Sequence, residues 1–290
     1  SKDINPDILK HVAANYFEYK KSNTLVDYSD MIHQFVNKSH LCPTFDVVFI
    51  DEAQDLSPIQ WMMYDILKAN TKDMYLAGDD DQAIYAWAGA DVDRFIKEPA
   101  TEVVLKKSRR VPRKIQDISN IIVNRIEGLR ADKQYYPREE DGSCIKINNL
   151  DNVDLTKDNW LILTRTRSKS VQIAKELKQR GIFFESKFFK SLNTKLHKAA
   201  VYYSRWSEGQ ELNQKEIDDV EDYMSDDNWN ELVPWFEAFD KANLEDKNYI
   251  RLLLSNKEKL SEPPRVKIST IHAAKGGESD NVLLVLDNAR

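Results

Sequence analysis

The chain has 290 residues, of which 41% are hydrophobic and 31% are charged, and its formal net charge is −6. This length leaves room for about two domains with sizeable cores, and the acidic balance excludes a protein that is coated with basic charge on all sides. The charge is uneven, because residues 208–247 hold 14 acidic and 3 basic residues, a net charge of −11, which leaves +5 for the remainder. We therefore expect a polyanion to avoid this segment and to contact the rest of the chain.

The two cysteines, Cys42 and Cys144, lie far apart and form no CxxC pair. They predict neither a disulfide framework nor a zinc site, and a reduced, cytoplasmic setting is the simplest interpretation. No apolar run reaches the roughly 18 residues of a membrane span, and the N-terminus has no apolar signal-peptide core. We expect no contact with a membrane.

Two helical patterns, at residues 6–23 and 25–39, open the chain, and the apolar run at residues 47–50 follows them. A short run of this kind predicts a strand that is buried on both faces. Asp51 and Glu52 come directly after it. In open parallel sheets the loops at this end of a strand face the ligand-binding crevice, so both carboxylates are candidates for a functional role. The alternative is that Asp51 and Asp55 only cap the next helix or complement its dipole.

A helix with a complete start signal comes next. Ser57 fits its N-cap, Pro58 its first position and Gln60 the third residue of a capping box. A second short strand then ends in the acidic loop of "DMYLAGDDDQAIYAWAGA", residues 73–90. Two strands that each deliver polar residues at their ends predict one half of an α/β sheet.

The remaining sequence continues the α/β pattern around one different segment. Residues 188–262 are acidic and rich in tryptophan and tyrosine, and they predict a helical insertion in which Trp206, Trp229, Trp235 and Phe236 form a small core rather than a base-stacking platform. The other predicted elements are strands at 101–105, 143–147, 159–167, 265–270 and 281–286, a basic turn at 106–112, and helices at 112–126 and at 168–181, the latter ending at Gly181.

Polar residues recur on the loops that follow these strands. Phosphoryl transfer needs such a set: a carboxylate for hydrated Mg²⁺, a group that orients or deprotonates water, a polar sensor near the γ-phosphate, and an arginine for the developing charge. The candidates are Asp51, Glu52, Gly78, Asp79, Asp80, Asp81, Gln82, Arg109, Arg110, Arg113, Thr270, His272, Lys275 and Glu278.

Five segments resemble motifs of the UvrD/Rep/PcrA-type superfamily 1 DNA helicases. Motif III is the most specific of them, because its glycine, three aspartates, glutamine, tyrosine and tryptophan have no common structural explanation in that order. The similar segments are "VVFIDEAQDLSPIQ" for motif II, "AGDDDQAIYAWAGA" for motif III, "LKKSRRVP" for motif IV, "LILTRTR" for the DNA-contacting motif that follows, and "VKISTIHAAKGGESDNVLLV" for motif V.

The resemblance implies an α/β fold with parts of two RecA-like P-loop-type domains, in which helices flank parallel sheets, and a helical insertion in the second. It assigns residues 1–100 to the first domain, residues 101–187 and 263–290 to the second, and residues 188–262 to the insertion. It also implies an ATP-dependent DNA helicase that uses Mg-ATP hydrolysis to move 3′ to 5′ on single-stranded or partly duplex DNA, as a monomer.

The resemblance gives the nucleotide-contacting residues individual roles. Asp51 would bind Mg²⁺ through water, Glu52 would activate the attacking water, and Gln82 would sense the γ-phosphate of ATP. Arg110 would reach the γ-phosphate from the second domain, so that ATP closes the cleft between the domains. Glu278 would contact the ribose.

The same resemblance places five side chains along single-stranded DNA. Aromatic faces stack on any base, and basic or hydroxyl groups follow phosphates without sequence preference. Two alternatives stay open at this point, a core position for Trp87 and a purely structural role for His272. The five predicted DNA contacts are Tyr85, Trp87, Arg165, Thr270 and His272.

The sequence also departs from the family. Its 290 residues contain no GxxxxGK[ST] phosphate loop and no motif VI, so the resemblance implies the middle part of a helicase that does not turn over ATP alone. Arg109 stands where the family has a tyrosine that stacks on adenine. The alternative to a nucleotide contact is that Arg109 and Arg113 belong to a solvated basic turn. Gly277 replaces a large apolar residue. The alternative function is a helicase-like protein that binds single-stranded DNA or a protein partner without hydrolysis.

Overall fold

The computed structural model describes residues 5–128, 130–225 and 229–286. The chain divides into two compact units, Ser1–Cys144 and Ile145–Arg290. This division does not coincide with the predicted domain boundaries after residues 100, 187 and 262, and the domain assignment stays a prediction.

The first unit is built around one parallel βαβ motif. β1 and β2 pair in parallel, with Ile50 opposite Leu76, so the helix between them is a crossover. The Gln60 side chain accepts a hydrogen bond from the backbone N–H of Ser57 at 2.9 Å, which confirms the predicted start of that helix. The elements are α1 (Pro6–Ser22), α2 (Tyr28–Asn37), β1 (Phe45–Ile50), α3 (Pro58–Ala69), β2 (Thr71–Leu76), α4 (Val92–Lys97) and α5 (Arg113–Val123).

An ion-pair cluster joins α1 to α2. Lys20 Nζ lies 2.8 Å from Asp27 Oδ2 and 2.7 Å from Asp30 Oδ2. The two aspartates also accept hydrogen bonds from each other's backbone N–H, each at 2.9 Å, and so form the capping box of α2. The hydrogen bond from Lys20, followed by the one from the backbone N–H of Asp30, lowers the pKa of Asp27 to about 2.

β1 is more exposed than its sequence predicts. Phe49 is 75% exposed and stacks on Tyr75 with 5.0 Å between the ring centroids. The prediction of a strand buried on both faces is wrong for this strand, because the sheet of the first unit has two strands in the part of the chain that the structure describes.

Two predicted strands, at residues 101–105 and 143–147, do not form. The side chains of Val103 and Leu105 are 77% and 82% exposed, and in this neighbourhood an isolated bridge joins Lys107 to Tyr136. An apolar run becomes a strand only where a neighbouring strand pairs with its backbone N–H and C=O groups, and neither run is part of a ladder.

The second unit contains a four-stranded parallel sheet with the order β4-β5-β3-β6. The strands predicted at 159–167, 265–270 and 281–286 are confirmed with shorter bounds, and β4 was not predicted. The helix predicted at 168–181 is confirmed, with Gly181 beyond its end at a φ of 62°. The elements are β3 (Trp160–Thr164), α6 (Arg167–Gln179), β4 (Phe184–Ser186), α7 (Thr194–Ser207), α8 (Gln214–Glu221), α9 (Trp235–Ala238), α10 (Leu244–Ser255), β5 (Val266–Thr270) and β6 (Asn281–Leu284).

The described part of the acidic segment 188–262 contains the helices α7 to α10 joined by turns and loops, and it shares one hydrophobic core with this sheet. Its buried Leu196 and Ile250 belong to the same cluster as Ile268 of β5. The hydroxyl of Tyr249 donates a hydrogen bond to the carbonyl of Ile182 at 2.8 Å, which ties α10 to the end of α6. The helices therefore cover the sheet instead of forming a separate body.

The aromatic residues of this segment pack as predicted. Trp235 is 7% exposed, and the rings of Trp206 and Trp229 lie 4.7 Å apart, edge to face, against the same core. Phe236 is partly buried there as well. Their role as core residues is confirmed.

Parallel sheets flanked by helices confirm the predicted α/β fold class. Both sheets are parallel throughout, and α3 and α6 each follow a strand within their unit. Among the described residues, no helix has both the length and the apolar character that a bilayer crossing demands.

Candidate functional site

The ends of β1 and β2 continue side by side in the first unit. The backbone N–H of Ala77 donates to the carbonyl of Ile50 at 2.8 Å, and that of Ala53 donates to the carbonyl of Ala77 at 3.0 Å. These bonds extend the ladder by one step beyond the strands. They bring the loop of motif II next to the loop of motif III.

Glu52 has an unusual backbone conformation at this point. Its φ of 54° and ψ of 38° lie in the left-handed region, which few non-glycine residues adopt and which is enriched at functional sites. Its backbone N–H donates to Asp51 Oδ1 at 2.9 Å. Both side chains are exposed at the strand end, where a carboxylate can reach solvent or a ligand.

Gln54 connects the two motif loops, and the sequence analysis missed it. Its side chain is fully buried, its Nε2 donates to Glu52 Oε2 at 2.5 Å, and its Oε1 accepts from the backbone N–H of Asp79 at 2.9 Å. Gly78 makes this approach possible, because a Cβ there would lie 2.6 Å from Gln54 Oε1 and 2.8 Å from Phe95 Cζ. The only sequence signal was a polar residue that follows the candidates Asp51 and Glu52 within the motif II segment.

The motif III loop folds into a short 3₁₀ turn, Asp80–Gln82. Asp79 caps this turn, since its Oδ1 accepts from the backbone N–H of Asp81 at 3.2 Å. Its Oδ2 accepts from Gln82 Nε2 at 2.7 Å. The exposed side chain of the predicted phosphate sensor is thus oriented by the first aspartate of its own loop.

Two cations from a later segment contact the three aspartates of this loop. Lys133 Nζ contacts Asp79, Asp80 and Asp81, and Arg130 forms a two-point pair with Asp81. Burial favours the neutral form of both Lys133 and Asp79, but the hydrogen bonds between them prevail, so the pKa of Lys133 is raised and that of Asp79 is lowered. No motif in the sequence predicted this contact across about 50 residues.

The aromatic residues of motif III differ in exposure. The side chain of Trp87 is 76% exposed, so the alternative of a core position is wrong for it. Tyr85 is half-buried and lines a cavity of about 410 Å³ together with Tyr28, Asp55 and Ala88.

Arg109 and Arg110 are exposed on a turn of the first unit. Ser108 Oγ holds this turn by accepting from the backbone N–H of Arg110 at 3.3 Å and from that of Val111 at 3.0 Å. The predicted adenine contact of Arg109 and γ-phosphate contact of Arg110 stay predictions. Arg113 pairs with Asp141 at 3.4 Å.

The candidates of the second unit gather at the ends of β3 and β5. Thr164 lies opposite Thr270 in the ladder, and Ile271 N–H donates to the carbonyl of Thr164 at 2.9 Å, so Arg165 follows β3 beside the start of motif V. Thr270 is 8% exposed, and its Oγ1 accepts from Ala273 N–H at 3.3 Å. Its hydroxyl therefore serves the turn in this conformation.

Two further candidates lie on the loop after β5. His272 is half-buried and Glu278 is exposed. The DNA contacts of Arg165, Thr270 and His272 and the ribose contact of Glu278 stay predictions.

The donor set at the end of β1 fits a hydrated Mg²⁺. Mg²⁺ keeps several waters and needs one or two protein carboxylates when a nucleotide supplies phosphate oxygens. Asp51 is one exposed carboxylate at a strand end, which matches this mode of binding. The described residues contain no group of three or more histidine, cysteine or carboxylate ligands that would hold a metal by itself.

The parallel sheets flanked by helices, with polar loops at the strand ends, agree with the RecA-like domains that the resemblance implies. Residues 2–101 match the family model of the UvrD/REP helicase N-terminal domain. The chain is 31% identical over 144 residues to DNA helicase II of Escherichia coli strain K12, a match that covers 44% of the chain and 20% of that relative. The chain is therefore related to the UvrD/Rep/PcrA-type helicases, as its motifs predict.

Two other relatives agree with this relationship. ATP-dependent DNA helicase PcrA of Leuconostoc citreum is 25% identical over 190 residues, with 55% of the chain and 25% of that relative covered. A probable DNA helicase II homolog of Mycoplasma capricolum is 26% identical over 163 residues, with 49% and 22% covered. The chain thus spans between a fifth and a quarter of the length of these relatives.

Proposed function

We propose that this chain supplies ATP-hydrolysing and DNA-binding machinery of a UvrD-type DNA helicase or translocase, which couples hydrolysis of Mg-ATP to 3′ to 5′ movement on single-stranded DNA. The observation that carries the proposal is the bridge in the first unit, where buried Gln54 contacts both Glu52 and the backbone of Asp79. Through this bridge, one buried side chain contacts both the predicted water-activating carboxylate and the predicted phosphate-sensing loop. The direction of movement rests on the family resemblance.

In the proposed reaction a water molecule attacks the γ-phosphorus of ATP. The water proton passes to the carboxylate of Glu52, the bond between the γ-phosphorus and the β,γ-bridging oxygen breaks, and ADP leaves. A positioned base of this kind contributes about 10²- to 10⁴-fold to a rate. The left-handed backbone of Glu52, with a φ of 54°, lies directly after the end of β1.

The other nucleotide contacts stabilise charge. Asp51 would hold Mg²⁺ through water, and the ion would neutralise charge on the phosphate oxygens. Gln82 would donate an amide hydrogen to the γ-phosphate, and Arg110 would add positive charge there. Glu278 would accept from the ribose.

The DNA-binding part of the proposal is supported by the 76% exposure of Trp87 beside the motif III loop. Stacking of a base on an aromatic ring contributes about 1–3 kcal/mol, which corresponds to roughly 5- to 150-fold in affinity. A protein that tracks the backbone in this way binds strands of different sequence with similar strength and binds more weakly as salt rises.

Fluorescence anisotropy with labelled oligothymidine and a mixed-sequence strand tests this part on the 290-residue chain. We expect binding to both strands, and we expect Trp87→Ala to weaken it by about tenfold, within the range for one stacked base. Tyr19→Ala is the matched control, because Tyr19 is an aromatic residue of the first unit that is 60% exposed on α1. Equal loss in both variants, or no binding by the wild type, would count against the DNA-binding role.

A measurement of ATP turnover distinguishes the proposed function from the alternative function, which is binding without hydrolysis. Both functions predict binding of single-stranded DNA, but only the proposed one predicts ATP turnover that Glu52→Gln lowers by about 10²- to 10⁴-fold in a polypeptide that also supplies a phosphate loop.

A further inference from the structure

The contact between Lys133 and the motif III loop is the most buried ionic cluster around the proposed site. The side chain of Lys133 is 5% exposed, and its Nζ lies 2.6 Å from Asp79 Oδ1 and 3.4 Å from Asp81 Oδ2, in addition to its contact with Asp80. A lysine is rarely buried to this extent unless carboxylates compensate its charge. The loop supplies three of them.

Arg130 and the backbone between the two cations complete the contact. Arg130 Nε donates to Asp81 Oδ1 at 2.6 Å and its Nη2 donates to Asp81 Oδ2 at 2.9 Å. The backbone N–H of Ala131 donates to Asp80 Oδ2 at 3.0 Å. Each of the three aspartates is therefore held by segment 130–133, which follows motif IV along the chain.

The contact reaches Gln82 through a single carboxylate. Asp79 Oδ1 accepts from Lys133 at 2.6 Å, and Asp79 Oδ2 accepts from Gln82 Nε2 at 2.7 Å. The Asp79 carboxylate thus joins Lys133 to the Gln82 amide, and its Oδ1 also accepts from the backbone N–H of Asp81 at 3.2 Å.

The charges of the cluster explain why a phosphate-sensing loop can carry three aspartates. Three ionised carboxylates beside a phosphate would repel it, and at short range such repulsion is substantial in a partly buried site. Lys133 and Arg130 supply two compensating positive charges from the same unit. A loop with a net charge near −1 is a much weaker obstacle to an anionic ligand.

We propose that Lys133 is a positioning residue for the phosphate sensor: it fixes Asp79, and through Asp79 it fixes the Gln82 side chain, while Arg130 neutralises the rest of the loop. The inference rests on the proposed function for the role of Gln82 toward ATP. The link from Lys133 to Gln82 itself can be tested without nucleotide. It makes motif III dependent on segment 130–133, which no motif of the sequence analysis included.

The deciding test is the NMR resonance of the Gln82 side-chain amide in the ¹⁵N-labelled 290-residue chain, assigned by its absence in Gln82→Glu. We expect Lys133→Met to shift this resonance and Lys133→Arg to leave it close to the wild-type position. Lys97→Met is the matched control, because Lys97 pairs with Asp93 on the surface of the same unit. A folded Lys133→Met chain with the wild-type Gln82 resonance would overturn the proposal.

A comparison with a double variant tests whether Lys133 acts on Gln82 through Asp79. It can also be made if the Lys133→Met chain does not fold. Asp79→Asn leaves Lys133 paired with Asp80 and Asp81, and the Asp79→Asn/Lys133→Met pair removes opposite charges together. If Lys133 acts through Asp79, adding Lys133→Met to Asp79→Asn does not move the Gln82 resonance further. A further shift of the Gln82 resonance when Lys133→Met is added to Asp79→Asn would contradict that route.

Nucleotide turnover separates this inference from the proposed function. In a polypeptide that supplies a phosphate loop, we expect Lys133→Met to lower kcat about tenfold, less than the loss of a direct transition-state donor, and Lys133→Arg to restore it. If Lys133→Met shifts the Gln82 resonance but neither the wild type nor any variant turns over ATP, the proposed function is refuted and the link from Lys133 to Gln82 stands. If Lys133→Met has the wild-type kcat and an unshifted Gln82 resonance, only the link from Lys133 to Gln82 is refuted.

Discussion

Replacement of Gln54 by leucine tests the bridge between the two motif loops. The substitution places an apolar side chain of similar size in a fully buried position, and it removes both the donor to Glu52 and the acceptor for the backbone N–H of Asp79. Glu52 is exposed, so water replaces its lost partner at little cost. The N–H of Asp79 lies in a part-buried hydrogen bond, so water replaces its lost acceptor less completely.

The expected magnitude follows from that asymmetry. A buried polar group that loses its hydrogen-bond partner costs about 1–3 kcal/mol, and for Gln54→Leu the loss at the part-buried N–H of Asp79 is the main change. A whole domain is stabilised by only about 5–15 kcal/mol, so the loss is a measurable share of the total. We expect the free energy of unfolding of the first unit to fall by about 2 kcal/mol.

The assay must measure the stability of the first unit separately from that of the second unit. Hydrogen-exchange pulse labelling across a urea series, followed on peptides that cover β1 and β2, gives the unfolding midpoint of this unit. Gln34→Leu is the matched control, since Gln34 is exposed on α2 and its replacement should change stability by less than about 0.5 kcal/mol. If Gln54→Leu were as stable as this control, the bridge would contribute nothing and the reasoning would be refuted.

Two further predictions concern the same unit. Gly78→Ala should destabilise it by about 1–3 kcal/mol, because the added Cβ would lie 2.6 Å from Gln54 Oε1 and 2.8 Å from Phe95 Cζ; a wild-type urea midpoint would contradict this. The pKa of Asp27 is lowered from 3.8 to about 2, so its pairing with Lys20 contributes stability above about pH 3.8 that is lost as the pH falls through about 2. Asp27→Asn should therefore lower the urea midpoint at pH 5 more than at pH 2.5, and an equal effect at both would refute the pairing.

The sequence predicted the local elements around the site well. The start of α3 at Ser57 and Pro58 follows from capping chemistry that acts within four residues, and the strand ends that deliver Asp51 and the motif III loop follow from short apolar runs. Such signals depend on neighbours along the chain, so they can be recognised in the sequence without knowledge of the tertiary structure. The helical character of residues 188–262 was predictable for the same reason.

What the sequence did not predict depends on distant partners. The strand propensity of residues 101–105 found no paired neighbour, and the helices of 188–262 joined the core of the second sheet. Gln54 and Lys133 act through contacts with the motif III loop, 25 and about 50 residues away along the chain. Polar residues of this kind have no periodicity, and their role becomes visible only in three dimensions.

ATP hydrolysis in the presence and absence of oligothymidine tests the central claim most directly. The measurement uses a polypeptide that joins these 290 residues to a segment with a GxxxxGK[ST] phosphate loop, after its binding of ATP has been verified. Glu52→Gln is compared with Glu18→Gln, which changes an exposed carboxylate of α1. We predict hydrolysis that DNA stimulates, that Glu18→Gln retains, and that Glu52→Gln lowers by about 10²- to 10⁴-fold with ATP binding preserved. Equal rates in both variants would contradict the account.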